Sequence, residues 1–340
     1  MPLVIVNASA STAVVSALVE LGSALHVLRA PGHHGLADWA AGVRARISPE
    51  LDGLIGTWSW TTRAIRATPF VAPSTAGGDF HAELGRLRRE PVPELAAQLL
   101  RPVSRQGDAA TALRWGRSRG PEVAALVRAL VMEPDVAVAN FLDFLDRCWR
   151  EWFAGEWPHL RPRLVARARQ FTDLAAVRGA VPALASLDPA VRPGRGDSVT
   201  VVKMAKGRHD VSGRGLLVAP STFVRPHLYV ANVPGRPLLL IHPVQPGPAV
   251  PTATELTRRL STVGSAGRLE VARAIATEPR TAGEVAALWQ LDATQVNRHL
   301  RALAATGLAR ATRRGRFVQY ELDIAAVQSL GTDLAALLLR

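Results

Sequence analysis

The chain has 340 residues, 48% of them hydrophobic and 20% charged, which excludes an intrinsically disordered polypeptide and leaves room for two or three domains with sizeable cores. No apolar run approaches the roughly twenty residues needed to cross a bilayer and no basic segment precedes an apolar one at the N-terminus, so a soluble cytoplasmic protein with no membrane partner is expected. A net charge of +13 favours a polyanionic partner, and the single cysteine, Cys148, excludes an intrachain disulfide.

Asn7-Ala-Ser9 has the letters of a glycosylation acceptor but serves better as helix-start chemistry. Val14, Leu18, Leu21, Leu25 and Leu28 recur at helical spacing, and Leu36, Trp39, Ala40, Val43 and Ile47 form a second amphipathic stripe. His33 and His34 fall between the two and read as a loop between helices, with no second ligand cluster at a useful spacing; metal or proton sensing is the competing and less favoured interpretation. Gly116-Arg-Ser-Arg-Gly120 matches the letters of a nucleophile elbow, but that turn needs a strand before it, and 109–115 reads as helix or loop. No catalytic residue, cofactor or metal site is therefore expected, and the protein is read as a non-enzyme. Val138, Leu142, Leu145, Trp149 and Trp152 make a strong stripe in which Cys148 is a buried, inert thiol. Leu160, Leu164, Ala168, Phe171 and Leu174 make a further one. Trp58, Trp60, Trp149 and Trp152 are candidates for lining an apolar ligand pocket, with core packing between helices as the competing and favoured interpretation. Arg161, Arg163, Arg167 and Arg169 read as a solvated basic face.

From residue 199 the pattern changes to short β-branched runs broken by glycine: 199–204 (VTVVKM), 215–219 (GLLVA), 227–231 (HLYVA) and 237–242 (PLLLIH). The expected class is thus mainly α with a small β portion. An N-terminal sensor or interaction domain would span 1–242, helical over 1–180 and β-rich over 198–242. A proline-rich linker (243–252) would follow, then a further domain over 253–340.

Within 253–340 the order of parts is informative. Leu269, Ala272, Ile275 and Ala276 mark a first helix that Glu278-Pro279 stops. Thr281 and Glu284 have capping-box spacing at the head of a second helix that buries Val285 and Leu288. Gln290-Leu291 turns the chain, and Asp292 with Gln295 repeats the capping pattern before a third helix with Val296, Leu300 and Leu303 on its inner face. The outer face carries Thr294, Gln295, Asn297, Arg298 and Arg301, side chains that hydrogen-bond base edges or phosphates from a major groove. His299 borders the buried stripe, equally suited to packing or to a phosphate. After Gly307, two strands at 308–312 and 317–322 are joined by Arg313-Arg-Gly-Arg316, with Val318, Tyr320 and Leu322 inward. The predicted unit is a winged helix-turn-helix with double-stranded DNA as partner.

The string GRLEVARAIATEPRTAGEVAALWQLDATQVNRHLRALAATGLARATRRGRFVQYEL, within 254–323, resembles the ArsR/SmtB type of winged-helix regulator. The stretches ALVELGSALHVLRAPGHHGLADWAAGVRARI, EWPHLRPRLVARARQF and GRGLLVAPSTF followed by PLLLIHP resemble an uncharacterised N-terminal domain that precedes such a winged helix in a group of actinobacterial regulators. The resemblance implies a homodimeric repressor on a pseudo-palindromic operator, with Gln295, Asn297 and Arg298 reading bases and Arg313, Arg314 and Arg316 contacting phosphates or the minor groove. Thr281, Thr294 and Arg301 complete the expected DNA-binding set. A small-molecule effector at the N-terminal domain would be the regulatory input. Residues 255–263 and 325–339, with Leu334, Leu337 and Leu338, would form the dimer contact. The family's metal chemistry is not carried over, because 281–288 lacks Cys and His and 323–340 lacks His. The competing class is an architectural DNA-binding protein without sequence preference.

Overall fold

The computed structural model describes residues 3–74, 79–104, 108–202, 206–244, 253–315 and 317–338; the side chains of residues 314, 325, 332 and 335–338 are not described. The chain divides into two compact units, Met1–Gln245 and Pro246–Arg340.

The front of the first unit is not wholly helical. Leu3–Val6 is a strand in the interior of a four-stranded sheet, antiparallel to Ser198–Val201 with Ile5 opposite Val199, and parallel to Gly207–Asp210. Ser11–Ala13 joins a second sheet, parallel to Leu216–Ser221, which is parallel in turn to Leu238–Pro243. The expectation of helix over 1–180 thus fails for residues 3–13. Their β-branched LVIV run finds its partners about two hundred residues away, where no local pattern reveals them. Asn7 does not start a helix: it sits at φ +60° in the turn after the first strand, its side-chain amide donating to Asp210 at 2.7 Å.

In the second sheet, Leu216, Val218, Leu238 and Leu240 pack into one apolar core and Leu217, Ala219, Leu239 and Ile241 into another. Burial on both faces explains why these strands read as continuous apolar runs rather than alternating ones. Arg195-Gly-Asp197 forms the turn before Ser198–Val201, with Gly196 at φ +56°.

The helical layer begins with Ala17–Arg29, where Ser16 Oγ accepts from the Val19 N–H at 3.1 Å. Leu18, Leu21, Leu25 and Leu28 pack with Phe70, Phe80, Phe141, Phe144 and Phe153. Gly22 is a close-approach residue: an added Cβ would lie 2.6 Å from Phe70 Cδ1. Pro134–Cys148 passes through a π-helical turn, Trp149–Phe153, into Ala154–Arg178. Cys148 is fully buried, and burial pushes its thiol well above the ordinary range. Gly116 lies inside the helix Ala109–Arg117, so the motif is entered from a helix rather than a strand and the elbow geometry is not formed.

The second unit runs as helices Ala253–Val263 and Ala266–Ala274, a two-residue strand Arg280–Thr281, helices Ala282–Trp289 and Ala293–Ala305, strands Ala309–Arg314 and Phe317–Leu322, and a last helix Ile324–Leu338. Val271, Ile275, Val285, Val296, Leu300, Leu303, Leu308 and Tyr320 form its core. Two inward assignments are corrected, Leu288 being 60% exposed and Val318 41%, and Leu269 of the first helix is also 54% exposed. Leu269 lies one helical turn before the buried Ala272, and Leu288 lies in the last turn of its helix, where Val285 and Ala286 reach the core instead. Most of the expected linker, residues 245–252, lies outside the described residues.

Candidate nucleic-acid interface

The helix Ala282–Trp289 starts at a complete capping box between Thr281 and Glu284. The hydrogen bonds from Thr281 hold the Glu284 carboxyl below the usual range. The helix ends where Gln290 adopts a left-handed conformation at φ +52° and returns its N–H to the Ala286 carbonyl. Three residues later the helix Ala293–Ala305 begins, with Asp292 Oδ1 accepting from the Gln295 N–H at 2.7 Å. Two helices joined by so short a turn, the second capped independently, form the helix-turn-helix arrangement.

Val296, Leu300 and Leu303 anchor this second helix in the core and fix which face is free. Thr294, Gln295, Arg298 and Arg301 are exposed, and Asn297 is half-buried beside them. Among the described residues neither Arg298 nor Arg301 is in an ion pair, whereas Arg280 lies 2.6 Å from Glu278 and Arg310 2.8 Å from Asp323. Cations without a protein counter-charge on an exposed helical face are free to meet phosphate. His299 is half-buried, its Nε2 3.3 Å from where a Cβ on Gly267 would sit. Burial, then the charges of Arg298 and Arg268, holds its imidazole below the usual histidine range.

Gly307 at φ +72° ends the helix and turns the chain into the hairpin. The first strand runs two residues further than its sequence suggests, to Arg314 opposite Phe317, and Gly315 follows at φ +61°. Arg313 is exposed near the tip, its Nε donating to the Gly315 carbonyl at 3.3 Å. The Arg314 side chain and the whole of Arg316 lie outside what is described. Gln319 and Tyr320 pair with Thr281 and Arg280, so the hairpin is stitched to the start of the first helix of the motif. The Thr281 hydroxyl is engaged with Glu284.

Trp289 is 41% exposed, with the Arg280 guanidinium 5.5 Å from its ring centre. The helices Ala253–Val263 and Ile324–Leu338 belong to the same unit; Leu256 and Leu330 are buried in its core and Leu334 is half-buried. The Leu337 and Leu338 side chains and all of Leu339 lie outside the description.

The four tryptophans considered for a ligand pocket are packing residues of the first unit. Trp58, Trp60 and Trp152 are 2%, 2% and 3% exposed, and Trp149 stacks on Phe80 at 4.3 Å. None of the four lines the large cavity of that unit. The groups that do line it, histidines and arginines far apart in sequence, carried no spacing signal.

A family model described as a family of unknown function (DUF5937) matches residues 4–247. No curated protein matches the chain. Among solved structures, an ArsR-like transcriptional regulator from Rhodococcus sp. RHA1 is 22% identical over 25% of this chain and 81% of its own, with a TM-score of 0.24. NolR from Sinorhizobium fredii is 21% identical over 25% of this chain and 85% of its own, at 0.22. The homodimeric winged helix-turn-helix DNA-binding domain of Mb0332 from Mycobacterium bovis, a possible ArsR-family regulator, is 23% identical over 27% of this chain and 90% of its own, at 0.22. Among the described residues, no helix is long and apolar enough to cross a membrane.

Proposed function

We propose that this chain, which belongs to the DUF5937 family, is a DNA-binding transcriptional regulator whose second unit reads duplex DNA as a winged helix. The observation that carries this proposal is the helix Ala293–Ala305: one face is locked in the core by Val296, Leu300 and Leu303, and the other presents Gln295, Asn297, Arg298 and Arg301, with neither arginine in an ion pair among the described residues. Such a face suits a major groove, where Arg and Asn make bidentate contacts with guanine and adenine edges. Arg313, Arg314 and Arg316 at the hairpin tip would hold phosphates or enter the minor groove, and Thr294 the adjoining backbone.

A homodimer would place two such helices on a pseudo-palindromic operator, half-sites about one helical turn or more apart, and would act as a repressor. The first unit would modulate that binding in response to a small molecule. Coupling of the usual size, about 1–3 kcal/mol, corresponds to a roughly five- to 150-fold change in operator affinity.

Asn297→Ala and Arg298→Ala test the assignment. Loss of preference for the selected duplex, with affinity for unrelated duplex largely retained, supports base readout. Uniform weakening on all DNA would replace it with architectural binding.

A further inference from the structure

The first unit contains a cavity of about 1060 Å³, at the upper end of the size typical of small-molecule sites. Three arginines and five histidines line it against one carboxylate, that of Asp188. The histidines come from distant segments. His33 Nε2 lies 2.6 Å from His227 Nε2, and the His26 and His34 ring centres are 5.2 Å apart.

Arg66 is the unusual member. It is only 3% exposed; its Nη1 donates to Ser23 Oγ at 2.8 Å and its guanidinium carbon stands 4.4 Å from the centre of the Tyr229 ring. Its Nε has no hydrogen-bond partner, and among the described residues no carboxylate is within ion-pair distance. A buried guanidinium without a counter-charge is costly, and native structures rarely leave such a group unmatched. Glu20, whose charge acts on Arg66, is itself pushed up to about 7 by burial and offsets only part of it.

The rest of the cavity has the same sign. Arg63 is exposed, and the neighbouring charges it senses are those of Arg119 and Arg29. Burial, then Arg66 and the neighbouring imidazoles, holds His26 down to about 4; His34 and His209 are lowered as well, burial again first. At neutral pH these imidazoles are therefore uncharged, able to donate or accept. A positive field with a single carboxylate disfavours a cation. Ile65, Val224, Leu228 and Val230 supply an apolar wall beside the charge.

We propose that this cavity binds an organic oxyanion, a carboxylate or phosphate ester on an apolar body, with Arg66 and Arg63 as charge partners and His34 and His227 as hydrogen-bonding groups. The site names the class of effector for the regulator proposed above and rests on that proposal only for its consequence at DNA.

The experiment is a fluorescence titration of the full-length chain with 8-anilinonaphthalene-1-sulfonate, followed by competition with octanoate, phenyl phosphate and octanol. Saturable dye binding displaced by octanoate or phenyl phosphate at least roughly tenfold more effectively than by octanol is expected, and the better competitor separates carboxylate from phosphate. Arg63→Gln at the exposed arginine, and His227→Gln as a second variant, should each weaken dye binding, the first by on the order of tenfold or more. Equal displacement by octanol, or unchanged affinity in both variants, would overturn the proposal. So would zinc that excludes the dye and is reversed by a chelator, which would assign the histidines to a cation. Because dye binding is read without DNA, failure of the regulator assignment leaves this result intact, and the converse holds.

Discussion

Thr281 and Glu284 hold each other at the start of the helix Ala282–Trp289: the Glu284 carboxylate accepts from the Thr281 N–H at 2.7 Å while Thr281 Oγ1 accepts from the Glu284 N–H at 3.3 Å. Thr281 also pairs with Gln319 in the hairpin, so one residue ties the helix start to the second strand of the wing. Thr281→Ala should lower the stability of the second unit by about 1 kcal/mol, while Thr281→Ser, which keeps the hydroxyl, should stay near wild type. Urea unfolding of the three proteins checks this; equal loss in the serine variant would contradict it.

Gly22 leaves no room for a methyl group against Phe70, with three side-chain atoms 2.6–2.8 Å from the added Cβ. Alanine in a helix interior ordinarily gains roughly 1 kcal/mol over glycine. Here overpacking of a buried aromatic, about 1–3 kcal/mol, opposes that gain, so Gly22→Ala should lower the melting temperature. A raised melting temperature would mean that Phe70 can move aside.

Glu20 gives a pH dependence of defined sign. Its carboxyl is pushed from 4.5 up to about 7 in the folded chain by burial, so the folded state holds the proton more tightly than the unfolded state. Its contribution to stability is fully present below about pH 4.5 and is lost as pH rises through about 7. Glu20→Gln removes that loss while keeping an acceptor for the Thr222 N–H. The stability difference between variant and wild type should shift in favour of the variant by up to about 3 kcal/mol from pH 4.5 to 7.5. Parallel profiles in denaturant titrations would show that Glu20 ionises normally.

Arg298 and Arg301, in no ion pair among the described residues, should each contribute to counterion release on DNA. Replacing either with alanine should reduce the slope of log affinity against log salt by about one. Unchanged slopes in both variants would remove these side chains from the phosphate or base contacts.

Much of the second unit is local and was therefore legible in sequence. Thr281 with Glu284, Asp292, and Gly307 each mark a helix boundary through hydrogen bonds or backbone angles confined to a few residues. The facing of Leu269, Leu288 and Val318 was not legible, because periodicity gives spacing, while the register of each element against its neighbours decides which apolar residue is enclosed. Leu3–Val6 was missed for a related reason: a four-residue run shows no alternation, and its partners lie at 198–201 and 207–210. The His33 and His227 imidazoles meet across 194 residues, so sequence spacing around His33-His34 could not disclose the cavity. Trp58, Trp60, Trp149 and Trp152 were conspicuous in composition, and their aromatic contacts place them in or against the core of the first unit.

The central claim is that the helix Ala293–Ala305 gives the chain a preference among DNA sequences. Fluorescence anisotropy of the full chain against the duplex upstream of its own coding sequence and a scrambled duplex, over a range of salt, tests it most directly. A preference of roughly several hundredfold or more at moderate salt is the expected result. Equal, steeply salt-dependent binding to both duplexes would contradict an operator at that position, and the same outcome across a random-duplex selection would contradict sequence-specific regulation altogether.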